Sequence, residues 1–339
     1  MIEEEKMATI KDVCKAAGVS KATVSRVLNG SESVKEQTRQ TVLATMKSLG
    51  YQPNAFARAL ATNSYNTFGL ILPHFESHYF GSMLTEAALD MQKADKKLFV
   101  MNSSDSAKGE EDAVRSLNAH NCDAIMIYSR HLSEQQLSSL QQEIKTQLIV
   151  INRSLDDERL FSFGFDQEQV ARVATNHLLS SGHKKIACIT TPMPSSTGHK
   201  RLAGYKETLE EHGIKVEESL IFHGESSLKS GYDATIKLID SGVPFTAIFS
   251  CADSMAIGAI RALHDRGIKV PEEVSVIGID GDPAGDYMVP RLSSVALPIL
   301  ELTRDAVTTA LTYNKRESDK KHFQYQGSLQ VKESTREAN

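Results

Sequence analysis

Apolar residues follow two different rhythms along this chain, and the change comes near residue 66. Before it, they recur at the three-to-four spacing of a helix with one buried face. Ile10, Val13 and Ala17 mark a first helix, Val24, Val27 and Leu28 a second, and a third runs from about Lys35 to Leu49. The caps agree with the periodicity. Thr9 with Asp12 forms a capping box, Ser20 precedes the second helix, and Ser33-Val34-Lys35-Glu36 is a box for the third. Gly18 falls where the chain must turn sharply and Gly50 where the third helix ends, both places that favour positive φ. Tyr51-Gln52-Pro53-Asn54 then breaks the pattern. Ala55 to Thr62 is Ala-rich and helix-prone but too short to be stable alone in water, and Asn63 to Asn66 links it onward.

From Thr67 the apolar residues gather into short continuous runs separated by helical patterns. Phe68–Leu72, Leu98–Met101, Ala124–Ile127 and Leu148–Ile151 read as buried strands, with helices near Phe80–Lys93 and Lys108–His120. The pattern repeats with strands at Ile186–Thr190, Leu220–Phe222, Ala247–Phe249 and Val274–Ile279. Helices lie between them near 167–181, 201–212, 228–241 and 254–266. Such near-continuous apolar strands in βαβ order predict parallel sheets covered on both faces. The expected fold is an α-helical head with a helix-turn-helix, followed by an α/β body of two doubly wound parallel-sheet subdomains. The polar stretch after Lys320 reads as a loose tail.

The head carries a recognisable chemistry. With Val24, Val27 and Leu28 facing inward, Lys21, Ala22, Ser25 and Arg26 are left on the outer face of the second helix. A helix-turn-helix places that face in the DNA major groove. There Arg grips guanine N7 and O6, and a small Ala can touch a thymine methyl. Charge points the same way. Residues 7–64 hold eight Lys and Arg against three acids, a net +5, whereas residues beyond 64 sum to −8. A cationic head on an acidic body suits phosphate contact by the head alone. The acidic segment from Met1 to Lys6 fits nothing downstream.

Other classes lose ground on composition. No apolar run is long enough for a signal peptide or a membrane span, so a cytoplasmic protein is expected. Cys14, Cys122, Cys188 and Cys251 are widely separated and read as reduced thiols, not zinc ligands or disulfides. No H-E-x-x-H, G-x-S-x-G, strand-following G-x-G-x-x-G or G-x-x-x-x-G-K-[ST] is present, and neither a cofactor nor a metal is expected. In open parallel sheets ligands bind outside the carboxyl ends of the strands. There the chain offers Tyr79 and Phe80, Asn152 and Arg153, Thr190 and Thr191, Ser195 to Thr197 with Arg201 beyond, Asp253, and Asp280 with Asp282. Planar Arg, Asp and Asn groups beside aromatic faces are what a polyhydroxylated ligand needs.

Taken together, Thr9 to Val13, Gly18 to Asn29, Gly50 to Asn54, Arg201 to Tyr205, Asp253 to Gly258 and Val274 to Asp280 resemble the LacI/GalR family of bacterial transcription regulators over essentially the whole chain. Cys122 to Tyr128 and Ile151 to Arg153 are most similar to its galactose-repressor and β-glucoside-repressor branch. The resemblance implies a helix-turn-helix domain over 7–53 and a hinge helix with linker over 54–66. An effector-binding and dimerisation domain follows over 67–333, with a tail at 334–339. Within the body it implies an N-subdomain of about 67–165 plus 298–325, and a C-subdomain of about 166–297 plus 326–333. It implies a homodimer reading a pseudo-palindromic operator, with Lys21, Ala22 and Arg26 on bases. Ser20, Thr23, Ser25 and Asn29 would lie mainly on phosphates, and Ala57 and Leu60 at the minor groove, where paired leucines wedge into a base step. Tyr79, Phe80, Asn152, Arg201, Asp253 and Asp280 match effector-binding positions in the cleft between subdomains. Two departures stand out. Many sugar binders of the family carry Asn where Ala252 stands, and an aromatic where Glu225-Ser226-Ser227 is polar.

The resemblance implies a sequence-specific repressor of a sugar-utilisation operon under a small carbohydrate-like effector. Alternatives at this point are a regulator with a non-sugar or co-repressing effector, and a cytosolic small-ligand-binding protein or enzyme.

Overall fold

The computed structural model describes residues 8–28, 33–51, 65–191, 196–313 and 321–338. They form two units, divided after Asn66.

Among its described residues the first unit has three helices, α1 (Ile10–Ala17), α2 (Lys21–Leu28) and α3 (Glu36–Ser48). Asp12 accepts from the Thr9 N–H at 2.8 Å and from its hydroxyl at 2.7 Å, which ties off the start of α1. Gly18 takes φ +66° and Gly50 φ +61°, the left-handed values expected of them. Val13, Val24, Val27, Val42 and Met46 close a small core among the three helices. One cap differs from expectation. Lys35, not Ser33, holds the N-cap position of α3, without a side-chain cap bond.

The second unit holds two six-stranded sheets. The first uses β1 (Thr67–Leu72), β2 (Lys97–Asn102), β3 (Ala124–Tyr128), β4 (Gln147–Ile151), β5 (Phe161–Phe165) and β11 (His322–Tyr325). They run in the order β11-β5-β4-β3-β1-β2, every pair parallel. Its helices are α4 (His78–Lys93), α5 (Ala107–Ala119), α6 (Glu134–Glu143) and α11 (Ile299–Thr312). Leu70 and Leu72 face one side and Ile71 the other, and all three are fully buried. A strand covered on both faces has no polar alternation to show, which is why these runs are continuously apolar.

The second sheet runs β12-β10-β9-β8-β6-β7. It is built from β6 (Ile186–Thr190), β7 (Ile221–His223), β8 (Ala247–Ser250), β9 (Ser275–Asp280), β10 (Ser293–Ala296) and β12 (Ser328–Gln330). Only β12 is antiparallel to its neighbour. Helices α7 (Gln167–Ser180), α8 (Ser196–Glu211), α9 (Leu228–Asp240) and α10 (Asp253–Asp265) complete it. Helices α9 and α10 pack so closely that a Cβ on Gly258 would meet the Leu228 carbonyl oxygen at 2.0 Å, and one on Gly231 the Met255 carbonyl oxygen at 2.1 Å. The chain passes between the sheets three times, at Phe165–Gln167, Ala296–Ile299 and Tyr325–Ser328.

Two expectations are corrected. The end of the chain is not a loose tail. Beyond β11 and β12, Ser334 is fully buried, donating to the Val276 carbonyl at 2.6 Å and accepting from the Ser293 N–H at 2.8 Å. Its polarity reflects hydrogen bonds inside the fold, not solvent. And Leu98–Met101 is a strand but not a buried one. It lies in β2 at the sheet edge, with Phe99 and Val100 exposed.

Candidate DNA-reading face and candidate ligand cleft

In the head, Ser20 Oγ accepts from the Thr23 N–H at 3.1 Å and starts α2. Burying Val24 and Val27 turns the opposite side of the same helix outward. Lys21, Ala22 and Arg26 are exposed there, and Thr23 and Ser25 are half-buried beside them. This is a short, capped, positively charged helix face with one small apolar residue between its cations. Asn29, Ala57 and Leu60 lie outside the described residues.

In the body, the carboxyl ends of both sheets face a common cleft. On one side, Tyr79 and Phe80 stand at the start of α4, which Ser77 opens by accepting from the Phe80 N–H at 3.2 Å. Tyr128, the last residue of β3, sets its ring edge-on to Phe80 at 4.8 Å and to Tyr79 at 5.9 Å. His74 meets Phe80 at 4.6 Å. Burial raises the phenol pKa of Tyr79 well above its ordinary value and that of Tyr128 above it, so both stay protonated. Arg130 follows on a loop held by one buried carboxylate. Glu110 accepts from Ser129 Oγ at 2.8 Å and from the N–H groups of Arg130, His131 and Leu132 at 2.7, 3.1 and 3.2 Å.

The opposite side is organised by Arg201. Its Nε donates to Gln167 Oε1 at 2.7 Å and its Nη1 to the Cys251 carbonyl, while Nη2 lies 3.6 Å from Asp280 Oδ1. These bonds fix the guanidinium plane against the end of the sheet. Burial raises Asp280 from the usual carboxylate range to about 6, against the pull of Arg201. Thr191, Thr197, Ser226, Ser254 and Asp282 also line this side.

The six candidate ligand residues thus separate by position. Tyr79, Phe80, Arg201 and Asp280 line the cleft together. Asn152 stands outside the lining, its Nδ2 donating to Thr197 Oγ1 at 3.4 Å. Asp253 also stands outside it. Both of its oxygens accept from Ser294 Oγ, at 2.8 and 2.9 Å, and Oδ2 accepts from the Asp282 N–H at 2.7 Å. Burial, with the Asp280 charge behind it, raises its pKa well above the ordinary value. A Cβ on Gly278 would lie 2.0 Å from Asp253 Oδ1, which explains that glycine in β9. Tyr128, Arg130, His74 and His78 line the cleft without having been singled out. Tyr128 ends a strand and was findable on that ground. The others sit on loops or a helix start, where no period marks them. Both departures from the family pattern, Ala252 and Ser226, are in the lining.

Residues 9–54 match bacterial regulatory proteins of the lacI family, and residues 175–335 match the periplasmic binding protein-like domain. Over 303 residues the chain is 39% identical to the HTH-type transcriptional regulator AscG of Escherichia coli (strain K12), covering 89% of this chain and 90% of that protein. The chain belongs to the LacI family. It is also 36% identical over 305 residues to GalR of the same organism, covering 90% and 89% of the two chains. Among solved structures, the lac repressor dimer bound to operator and the anti-inducer ONPF aligns with a TM-score of 0.87 at 26% identity, over 98% of this chain and 100% of that one. The crystal structure of E. coli AscG aligns with a TM-score of 0.73 at 34% identity, over 80% of this chain and 99% of that one. LacI-family members are DNA-binding transcriptional regulators, and the function of this chain is regulation, not catalysis. Among the described residues, no helix is long and apolar enough to cross a membrane, and no metal-binding cluster is present.

Proposed function

We propose that this LacI-family regulator is a cytoplasmic homodimeric repressor of a sugar-utilisation operon, released from its operator by a small carbohydrate-like effector. The observation that carries the effector reading is the Arg201–Asp280 pair, a planar donor and an acceptor 3.6 Å apart beside the aromatic group of Tyr79, Phe80 and Tyr128. Hydroxyls of a sugar bond to the first two, and its apolar ring face packs on the third. Exposed apolar side chains support self-association: Leu89, Phe99 and Val100 by the first sheet, and Leu228, Tyr287 and Val289 by the second. In this reading Lys21, Ala22 and Arg26 read bases while Ser20, Thr23, Ser25 and Asn29 hold phosphates. Ala57 and Leu60 act at the minor groove, and the effector biases the relative orientation of the two subdomains. Linkage then requires operator and effector to weaken each other equally.

The test is fluorescence anisotropy of the protein on its own upstream DNA, across a panel of sugars. Tight, salt-sensitive binding released by one sugar is expected. Arg26→Ala should blur discrimination between operator and scrambled DNA. A ligand that tightens binding would reverse the sign of the switch, and absence of specific binding under every ligand would defeat the reading.

A further inference from the structure

We propose that the cleft selects an uncharged polyhydroxylated ligand and excludes the phosphorylated form of the same sugar, an inference that rests on the carbohydrate reading above. A phosphate brings nearly two negative charges and, at neutral pH, almost only acceptor oxygens. Where carboxylates line the same site, holding it takes cations with charge to spare. Neither guanidinium group in the lining has charge to spare. Arg201 is committed to Gln167, the Cys251 carbonyl and Asp280. Arg130 Nη1 donates to Asp105 Oδ2 at 3.1 Å, and the other oxygen of Asp105 takes His131 Nε2 at 2.8 Å. Asp282 adds a further carboxylate to the lining. Two guanidinium groups are thus set against Asp105, Asp280 and Asp282, so the local balance is negative before any ligand arrives.

The remaining groups follow the same pattern. His74 is held below its ordinary pKa by burial and by the Arg130 charge, and is neutral at physiological pH. The site is instead rich in acceptors that need a donor. Behind the lining, Asn152 Oδ1 is buried and has no partner among the described residues, while its Nδ2 reaches Thr197 in the lining. The amino ends of α4 and α8 reach the cleft and favour acceptor oxygens, charged or not, so the carboxylates are what discriminate. Hydroxyls supply those oxygens, and donors for the carboxylates as well, without adding net charge.

The experiment is calorimetric titration of the full chain with matched pairs: glucose and glucose 6-phosphate, galactose and galactose 6-phosphate, methyl β-glucoside and its 6-phosphate. Inorganic phosphate alone is a further probe. The uncharged member of a pair is expected to bind, with its phosphate weaker by at least about tenfold and inorganic phosphate giving no heat. Asp282→Lys should move the preference towards the phosphorylated member. Tighter binding of a phosphorylated member, or competition by inorganic phosphate, would overturn the inference and leave the carbohydrate reading standing. If neither member of any pair binds, the carbohydrate reading falls and takes this inference with it.

Discussion

Asp253 holds the backbone N–H of Asp282 at 2.7 Å, and by that bond it fixes the turn on which Asp280 stands. The two carboxylates therefore have different work. Asp280 faces the cleft, while Asp253 anchors the segment behind it.

Substitution should separate these roles. Asp253→Ala leaves Ser294 Oγ and the Asp282 N–H without their acceptor, at a cost of about 1–3 kcal/mol. That corresponds to a melting point lower by roughly 2–8 °C for a unit of this size. Asp280→Asn should keep the melting point within about 2 °C of the parent yet abolish the effector response. Thermal melts and operator release, measured on both variants, check the pair. A large loss of stability in Asp280→Asn alone would contradict the assignment.

The raised pKa of Asp280, about 6, gives a pH signature. Ligand hydroxyls that donate to Asp280 need it ionised. Its ionised fraction falls about tenfold from pH 7 to pH 5, and effector affinity should fall by a similar factor. In the ligand-free protein the folded value lies above the unfolded one, so the folded state binds more protons in between. Stability should accordingly decline as pH rises from about 4 to 6. Asp280→Asn should lessen that slope, leaving the part that the raised pKa of Asp253 contributes, as titration calorimetry and melts across this range would show.

Glu110 satisfies four donors of the 129–132 segment from a position only 1% exposed. Glu110→Ala should cost about 2–4 kcal/mol, since three N–H groups and a hydroxyl lose their common acceptor. The loosened segment carries Arg130 and follows Tyr128, so effector affinity should fall as well. Hydrogen exchange should report faster opening at 129–132, with the strands of the second sheet unaffected.

Val24 is fully buried in the small core of the head. Val24→Ala should cost about 1–3 kcal/mol there, a large share of what so small a core supplies. Operator binding should weaken sharply while effector binding to residues 67–338 is retained. Calorimetric titration with effector and anisotropy on DNA distinguish the two effects.

Much of this was legible from residues alone because the fold speaks through periodicity. Continuous apolar runs announced β1, β3 and β4, and the Ser20–Val24–Val27 spacing announced α2. What stayed hidden has physical causes. Phe161–Phe165 has Ser and Gly inside it, and Gly164 is there because a Cβ would lie 2.6 Å from the Arg153 carbonyl carbon. β11 and β12 are short and polar, and take their place through pairing with distant strands. Arg201 and Asp280 could be read as a pair from their places beyond strand ends. The structural duty of Asp253 could not, because nothing in a linear sequence tells a carboxylate facing a cleft from one facing Ser294. Arg130 escaped notice because Glu110, 20 residues away, is what positions it.

The three passages between sheets lie side by side. The Asp166 N–H donates to the Tyr325 carbonyl at 2.8 Å, and Gln169 bonds both the N–H and the carbonyl of Gly327. A Cβ on Gly327 would crowd Val295 at 2.7 Å, just before the remaining passage. A single thread would let the two subdomains swing freely in any direction. Three threads, two of them joined by hydrogen bonds, restrain that swing. Substitution of Gln169 or Gly327 should therefore change how readily one sheet moves against the other, although neither residue lines the cleft.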